Sequence, residues 1–290
     1  MRNLLFLLVL TQTTITSYSQ QTIALKITDS ISGLPVGYAS IHLKNKKNVV
    51  DADSSGVCNF TFTPDQSICI SRIGYFEKCI SASELLNNYT ITLTPKRISL
   101  PFVFVGNFNS LIIGGGNKKV GFAMTAKMNE RSGFASLIKV PENIGLYTIK
   151  EIEFLIRSKG KNNTCNPVRV QVCKVSEDGN PGETLMKHDI VVTSINIQKN
   201  KLNINLEEED ITISDRSFFI VIEWLTIPQG NINYGQPQIC FTSDVKKDGG
   251  TTWFRGAFTG DKWYFPKAGQ LGNMIANAEM LIRQYNDEKK

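Results

Sequence analysis

The stretch Ile27–Leu43, ITDSISGLPVGYASIHL, reads as a strand, a tight turn and a second strand. Upstream, Ile23, Leu25 and Ile27 alternate with Ala24, Lys26 and Thr28. A period of two puts one face of a strand on a core and the other in water. Ser32-Gly33-Leu34-Pro35 interrupts it; Gly tolerates positive φ and Pro pre-sets its own. Ala39, Ile41 and Leu43 resume the alternation, Lys44–Asn48 is a polar hairpin tip, and Val49-Val50 begins the return. Asp53-Ser54-Ser55-Gly56 is a second turn. Val57–Phe62 and Ser67–Ile73, around Thr63–Gln66, read as a hairpin, and Tyr89–Leu93 closes the unit. So many short strands in so short a stretch predict a small β-sandwich.

The rest of the chain carries the same signal. Val120–Ala126 reads as a strand, and Ile152, Phe154 and Ile156 keep a period of two. Val168, Val170 and Val172 alternate with Arg169, Gln171 and Cys173. Phe218–Leu225, FFIVIEWL, is nearly all apolar, as a central strand covered on both faces would be; Trp224 belongs to its core. Asp178–Gly182 is a turn. Ile239–Thr242, Thr251–Arg255 and Trp263–Phe265 follow, and Met274, Ala276, Ala278 and Met280 predict a closing strand, with a terminal helix as the alternative. This second unit reads as a larger, jelly-roll-like β-sandwich, so the fold class is all-β.

Composition agrees. Hydrophobic residues make up 41% and charged residues 20% of 290, enough to bury a core. The +6 charge comes from scattered Lys and Arg with no run of five, which reads as solubility rather than as a nucleic-acid footprint. Arg2, the apolar run Leu4–Leu10 and the small residues Ser17 and Ser19 resemble a secretory signal peptide. The run is too short for a membrane span of ~20 residues. The expectation is an exported chain, periplasmic or extracellular, with no transmembrane segment in its mature form.

Residues 21–95 resemble a known family. The order of features is Asp29, Gly33-x-Pro35, Ala39-Ser40-Ile41, Asp53-x-x-Gly56-x-x-x-Phe60, Ile70-Ser71-x-Ile73-Gly74-Tyr75, then Ile91-x-Leu93. It is similar to the carboxypeptidase regulatory-like domain, a transthyretin-like sandwich. Such modules stand at the N-terminus of secreted and outer-membrane bacterial proteins, TonB-dependent receptors included. The resemblance implies a fold and a compartment and carries over no catalytic residues. The residues beyond the module cannot build a receptor's plug and large barrel. The expected layout is a signal peptide at 1–20, the regulatory-like sandwich at 21–95, a linker at 96–101 bracketed by Pro95 and Pro101, and the jelly-roll-like sandwich at 102–285. The last of these resembles galactose-binding-like jelly rolls in architecture alone.

Much familiar chemistry is missing. The zinc carboxypeptidases that carry such modules need His-x-x-Glu, and neither His42 nor His188 has Glu three residues on. Two histidines leave little scope for a histidine-based zinc site or a Ser-His-Asp triad; both read as strand-surface residues. Gly114–Lys119 lacks the Ser/Thr of a phosphate loop. Adjacent carboxylates in Glu207–Asp210 would alternate faces, so the run reads as a solvated turn rather than a Ca²⁺ cage. No metal and no cofactor are expected. Of the six cysteines, Cys58, Cys69 and Cys79 fall in the first unit and Cys165, Cys173 and Cys240 in the second. At most one bridge within each unit is possible unless a bridge crosses between them, and free core thiols are the alternative. Cys165 and Cys173 on one strand would lie ~25 Å apart, beyond bridging.

What remains is an aromatic cluster, Trp253-Phe254-Arg255 and Trp263-Tyr264-Phe265. Paired strands would bring the two triplets together. Trp253, Arg255, Trp263 and Tyr264 are the candidate ligand-binding residues, a stacking platform for a sugar ring or a protein; packing of a last hairpin is the bland reading. The expectation is a non-enzymatic cell-envelope binding or accessory protein with carbohydrate or an envelope protein as partner. One alternative is a carboxylate-dependent glycan hydrolase, with Glu223 as the residue to watch. Another is a structural subunit of a surface assembly.

Overall fold

The computed structural model describes residues 21–43, 49–63, 66–85, 89–96, 108–115, 120–124, 132–158, 164–194, 200–225, 237–242, 251–256, 262–266 and 273–283. The expected signal peptide, the tip at 44–48, the linker from 97 to 101 and the glycine loop from 116 lie outside them. The chain is all-β.

The N-terminal part contains β1 (Gln21–Asp29), β2 (Ser40–Leu43), β3 (Val49–Asp51), β4 (Val57–Phe62), β5 (Ser67–Ser71), β6 (Lys78–Ser81) and β7 (Thr90–Leu93), with one helical turn at Ala82–Leu85. β4-β1-β7 form one sheet and β3-β2-β5-β6 a second. Leu25, Ile27, Phe60, Phe62 and Ile91 from the first meet Ile41, Ile68 and Ile70 from the second in one core. The alternation read from the sequence is the inward face of these strands.

Its turns explain the motif residues. Asp29 Oδ1 accepts from the amides of Ile31 (2.7 Å) and Ser32 (2.8 Å), and its Oδ2 accepts from the Tyr75 hydroxyl at 2.9 Å. Asp53 Oδ1 accepts from the amides of Ser55 and Val57, both at 2.9 Å. Gly56 has φ +73°, and a Cβ there would lie 2.6 Å from the Ile27 carbonyl oxygen, so no side chain fits.

Two expectations for this part are corrected. β4 and β5 do not pair as a hairpin: β4 lies on β1 and β5 between β2 and β6. Phe62 and Ser67 therefore end and begin strands of opposite sheets, because Phe60 and Phe62 must face Ile68 and Ile70 across the core rather than lie beside them. The linker does not start at Lys96. Pro95 bridges to Tyr75, and the Lys96 amide donates to the Gly74 carbonyl at 2.8 Å, so this part runs through residue 96.

The C-terminal part contains β8 (Phe108–Gly114), β9 (Val120–Met124), β10 (Ser132–Lys139), β11 (Tyr147–Ser158), β12 (Thr164–Val175), β13 (Pro181–Thr184), β14 (Ile190–Ser194), β15 (Lys201–Asn205), β16 (Ile211–Ile213), β17 (Ser217–Trp224), β18 (Pro237–Thr242), β19 (Thr252–Arg255) and β20 (Ala276–Arg283). One sheet runs β13-β12-β17-β10-β19 with β14 on β12; the other runs β8-β20-β11-β18-β9 with β15 and β16 on β11. Phe134, Val170, Phe218, Ile220, Ile222 and Trp224 of the first pack on Ile152, Phe154, Phe241, Ala278 and Met280 of the second. β17 is central and buried on both faces, as its apolar run predicts, and β20 is a strand rather than a helix.

Two surface readings are corrected here. Glu207–Glu209 is a turn of 3-10 helix, and its last residue is buried. Glu209 accepts from the amides of Lys187 (2.5 Å) and His188 (3.0 Å) and contacts His188 Nδ1 at 2.9 Å. His188 is therefore a bend residue tying two segments together, not a strand-surface residue.

The two parts touch through the outer faces of the β2/β5 and β12/β17 sheets. Arg169, on β12, donates from Nε to Asp189 Oδ1 at 2.9 Å, from Nη1 to Ser40 Oγ at 3.2 Å and from Nη2 to the Tyr38 carbonyl at 2.6 Å. Ser40 Oγ in turn donates to Asp51 Oδ1 at 2.7 Å. Arg72 pairs with the other oxygen of Asp189. Burial, and then the charge of Arg169, bring the Arg72 pKa down to about 10, which still leaves it charged at neutral pH. Asp189 is fully covered, and its charge is met by one arginine from each part.

Candidate functional site

The aromatic cluster forms one edge of the β17 sheet. β19 pairs with β10 over Thr252–Arg255. Beyond it, Phe254 and Tyr264 exchange backbone hydrogen bonds, Phe254 N to Tyr264 O at 2.8 Å and Tyr264 N to Phe254 O at 2.7 Å. The predicted pairing of the two triplets is present. Antiparallel register then sets Arg255 beside Trp263 and Trp253 beside Phe265. The Arg255 guanidinium stands 4.7 Å from the Trp263 ring centre, and Trp253 and Phe265 centroids are 4.5 Å apart.

These two rows occupy the sheet face turned away from the inter-sheet core. On it, Trp253 and Trp263 pack over Ala135, Cys173, Phe219 and Val221. Trp253 meets Phe219 edge-on at 4.8 Å, and its Nε1 donates to Asn180 Oδ1 at 3.1 Å. Burial pushes the Cys173 thiol up to about 12. Trp253 is thus anchored at both ends, and the Asp178–Gly182 turn supplies one anchor. Phe254 points the other way, onto Phe134 at 5.4 Å. Tyr264 shares its row and is 41% exposed; Phe265, on the Trp253 side, is 39% exposed.

Glu223 completes the site from beneath. In Phe218–Trp224 the even-numbered residues face the inter-sheet core, so the odd-numbered Phe219, Val221 and Glu223 face outward. Glu223 is nevertheless 1% exposed. Its Oε1 pairs with Arg255 Nη2. Gly133 lies between them in register, opposite Glu223 on one side and Arg255 on the other. A Cβ there would stand 3.1 Å from Glu223 Cγ and 3.4 Å from the Trp263 ring. The missing side chain is the passage through which acid and base meet. On the far side of Glu223, Arg169 occupies the same row.

Of the four residues named from sequence, Arg255 and Trp263 form one stacked pair, Trp253 is a packed neighbour and Tyr264 is the most exposed. The sequence reading did not include Phe265 among the candidate site residues or pair Glu223 with Arg255. Strict alternation in Phe218–Trp224 held the signal for the outward turn of Glu223; nothing local identified its cation.

The outer face of the second sheet carries a shallow depression lined by Ile112, Glu151, Glu153, Asn277 and Glu279. Its carboxylates are partnered. Ser110 Oγ donates to Glu279 at 2.6 Å, Asn203 to Glu151 at 2.8 Å and Asn277 to Glu153 at 3.0 Å, and Lys201 Nζ lies 2.8 Å from Glu153. This is a satisfied polar face.

No protein-family model and no curated protein matches this chain. Among solved structures, it has a likeness to one described as "Structure of infectious bursal disease virus Gt strain", at 11% identity and a TM-score of 0.22. The match covers 91% of this chain and spans 64% of that one. A score so low carries no argument about fold or function.

Proposed function

We propose that this chain is an exported, non-enzymatic binding or accessory protein of the cell envelope. Its N-terminal part serves as a carboxypeptidase regulatory-like module, and its C-terminal part as a jelly-roll-like binding unit. The ligand is carbohydrate or an envelope protein, held at the edge where Arg255, Trp263 and Phe265 present the outer face and Tyr264 the opposite one. The observation that carries this reading is the exposure of Phe265, 39%, beside aromatic and cationic groups already fixed by packing, with Tyr264, 41% exposed, on the other face of the same edge. Rigid aromatic surface costs little entropy to order when a ring or an apolar side chain stacks on it. The Cys69–Cys79 bridge supports the compartment, since stable disulfides belong mostly to oxidising environments.

Glu223 gives the hydrolase alternative no support, because its carboxylate is paired with Arg255 under a packed aromatic layer. A glycan array of the chain from Gln21, run beside a Tyr264→Ala, Phe265→Ala variant of equal thermal stability, tests the proposal. Binding by the first and not the second is the expected result. An absence of bound glycan would remove carbohydrate as the ligand. Equal binding by both chains would move the site away from this edge.

A further inference from the structure

On the outer face of the β2/β5/β6 sheet one row of side chains joins three strands. His42 on β2 is the register partner of Cys69 on β5, and Cys69 is the register partner of Cys79 on β6. Cys69 and Cys79 are disulfide-bonded. Glu77, just before β6, brings Oε1 to 3.7 Å from His42 Nε2. A ring nitrogen of His42, the Cys69 sulfur and a carboxylate oxygen of Glu77 all lie within 4.8 Å of one another. Three of the four groups reach solvent: the Glu77 side chain is 54% and the His42 side chain 29% exposed, and Cys79 is exposed, while Cys69 is buried.

While the disulfide is closed its sulfurs cannot act as thiolate ligands. We propose that opening it creates a binding site for a thiophilic divalent cation, with Zn²⁺ the best fit, made by His42, Cys69, Cys79 and Glu77. Two thiolates, one imidazole and one carboxylate are a tetrahedral zinc set. Zinc–ligand bonds of about 2.0–2.3 Å place donor atoms about 3.3–3.8 Å from one another. His42, Cys69 and Glu77 already approach that spacing, and the Cys79 sulfur needs only to separate from its partner. The backbone would hold the set after reduction, because Ser67↔Ser81, Ile68↔Ile80 and Ile70↔Lys78 pair around the two cysteines.

The opening step needs a dithiol reductant. One thiolate of the dithiol attacks the exposed Cys79 sulfur; the Cys69–Cys79 bond breaks and Cys69 leaves as thiolate. The reductant's second thiolate then attacks its own sulfur in the mixed disulfide, which expels the Cys79 thiolate and closes the reductant's disulfide. Two electrons pass from dithiol to protein, and both resulting thiolates become ligands. The site is thus gated by redox state: closed and metal-free when oxidised, open and metal-binding when reduced.

The test uses Co²⁺ as the probe, with the full chain oxidised, then reduced by a phosphine that does not itself ligate through sulfur. The reduced chain should bind one Co²⁺ with a sulfur-to-cobalt charge-transfer band and the visible bands of a tetrahedral centre, bleached by added Zn²⁺. The oxidised chain should show neither. His42→Ala and Glu77→Gln should each weaken binding by about tenfold or more, and Cys79→Ser should reduce the charge-transfer intensity. The proposal is overturned if the reduced chain shows no charge-transfer band, if the oxidised chain binds equally, or if the His42→Ala, Glu77→Gln double variant binds like the parent. Loss of the β-sheet circular dichroism on reduction would overturn it too, because the ligands would no longer share a row.

Discussion

Glu223 and Arg255 are joined through the space left by Gly133. They sit on strands separated by β10, and their ion pair crosses that strand where its residue has no side chain. Glu223 is buried and Arg255 is partly covered by Trp263, whose ring lies against the guanidinium. The exposed aromatic edge therefore rests on a charge interaction whose acid is shielded from water.

Gly133→Ala should strain this arrangement. The added Cβ would stand 3.1 Å from Glu223 Cγ and 3.2 Å from the Ile222 carbonyl. Overpacking of this kind costs about 1–3 kcal/mol. Urea unfolding should show a lower midpoint with an unchanged slope, and tryptophan emission should shift as Trp263 is displaced.

Removing one partner of the pair should cost more than removing both. Arg255→Met removes the cation paired with the buried Glu223 carboxylate, a loss of about 3–5 kcal/mol. The Arg255→Met, Glu223→Leu double variant should recover a large part of it, since apolar groups of similar size satisfy the same space. A double-mutant cycle from denaturant curves measures the difference.

The contact between the two parts should behave alike. Arg169→Met strips Asp189 of one of its two arginines and leaves the Tyr38 carbonyl and Ser40 without their donor. A loss of about 3–5 kcal/mol is expected. Amide exchange should accelerate at residues on both sides of the contact, from Tyr38 to Ile41 and from Asp189 to Val191.

Acid should erode the Asp29 turn. The amides of Ser32 and then Ile31 hold the Asp29 carboxyl below its ordinary 3.8. A folded-state pKa lower than the unfolded one contributes stability that is full above the unfolded value and fades as pH falls through the folded value. Asp29→Asn keeps an acceptor and loses the charge. The melting-temperature gap between parent and variant should thus be constant at neutral pH and close progressively below about pH 4.

Two thiols should be silent in the folded chain. Burial pushes both Cys58 and Cys173 up to about 12, so the reactive thiolate is scarce at pH 8. Iodoacetamide followed by peptide mass spectrometry should find both unmodified in buffer and both alkylated in urea.

Strand content was legible because alternation is local. Each strand writes its own inward face in residues two apart, as in Val168, Val170 and Val172, and a strand covered on both faces writes an unbroken apolar run, as in Phe218–Leu225. Turn chemistry is equally local: Asp29, Asp53 and Gly56 act on neighbours a few residues away. The all-β class, the closing strand at β20 and the facing of Trp253-Phe254-Arg255 on Trp263-Tyr264-Phe265 came from these signals. Partnership between distant segments did not, because register depends on which strands the whole chain brings side by side. Only the tertiary structure decided that β4 and β5 lie in opposite sheets, that Cys69 meets Cys79 while Cys58 stays in the core, that Arg255 neutralises Glu223, and that His42 shares a row with a disulfide and a glutamate.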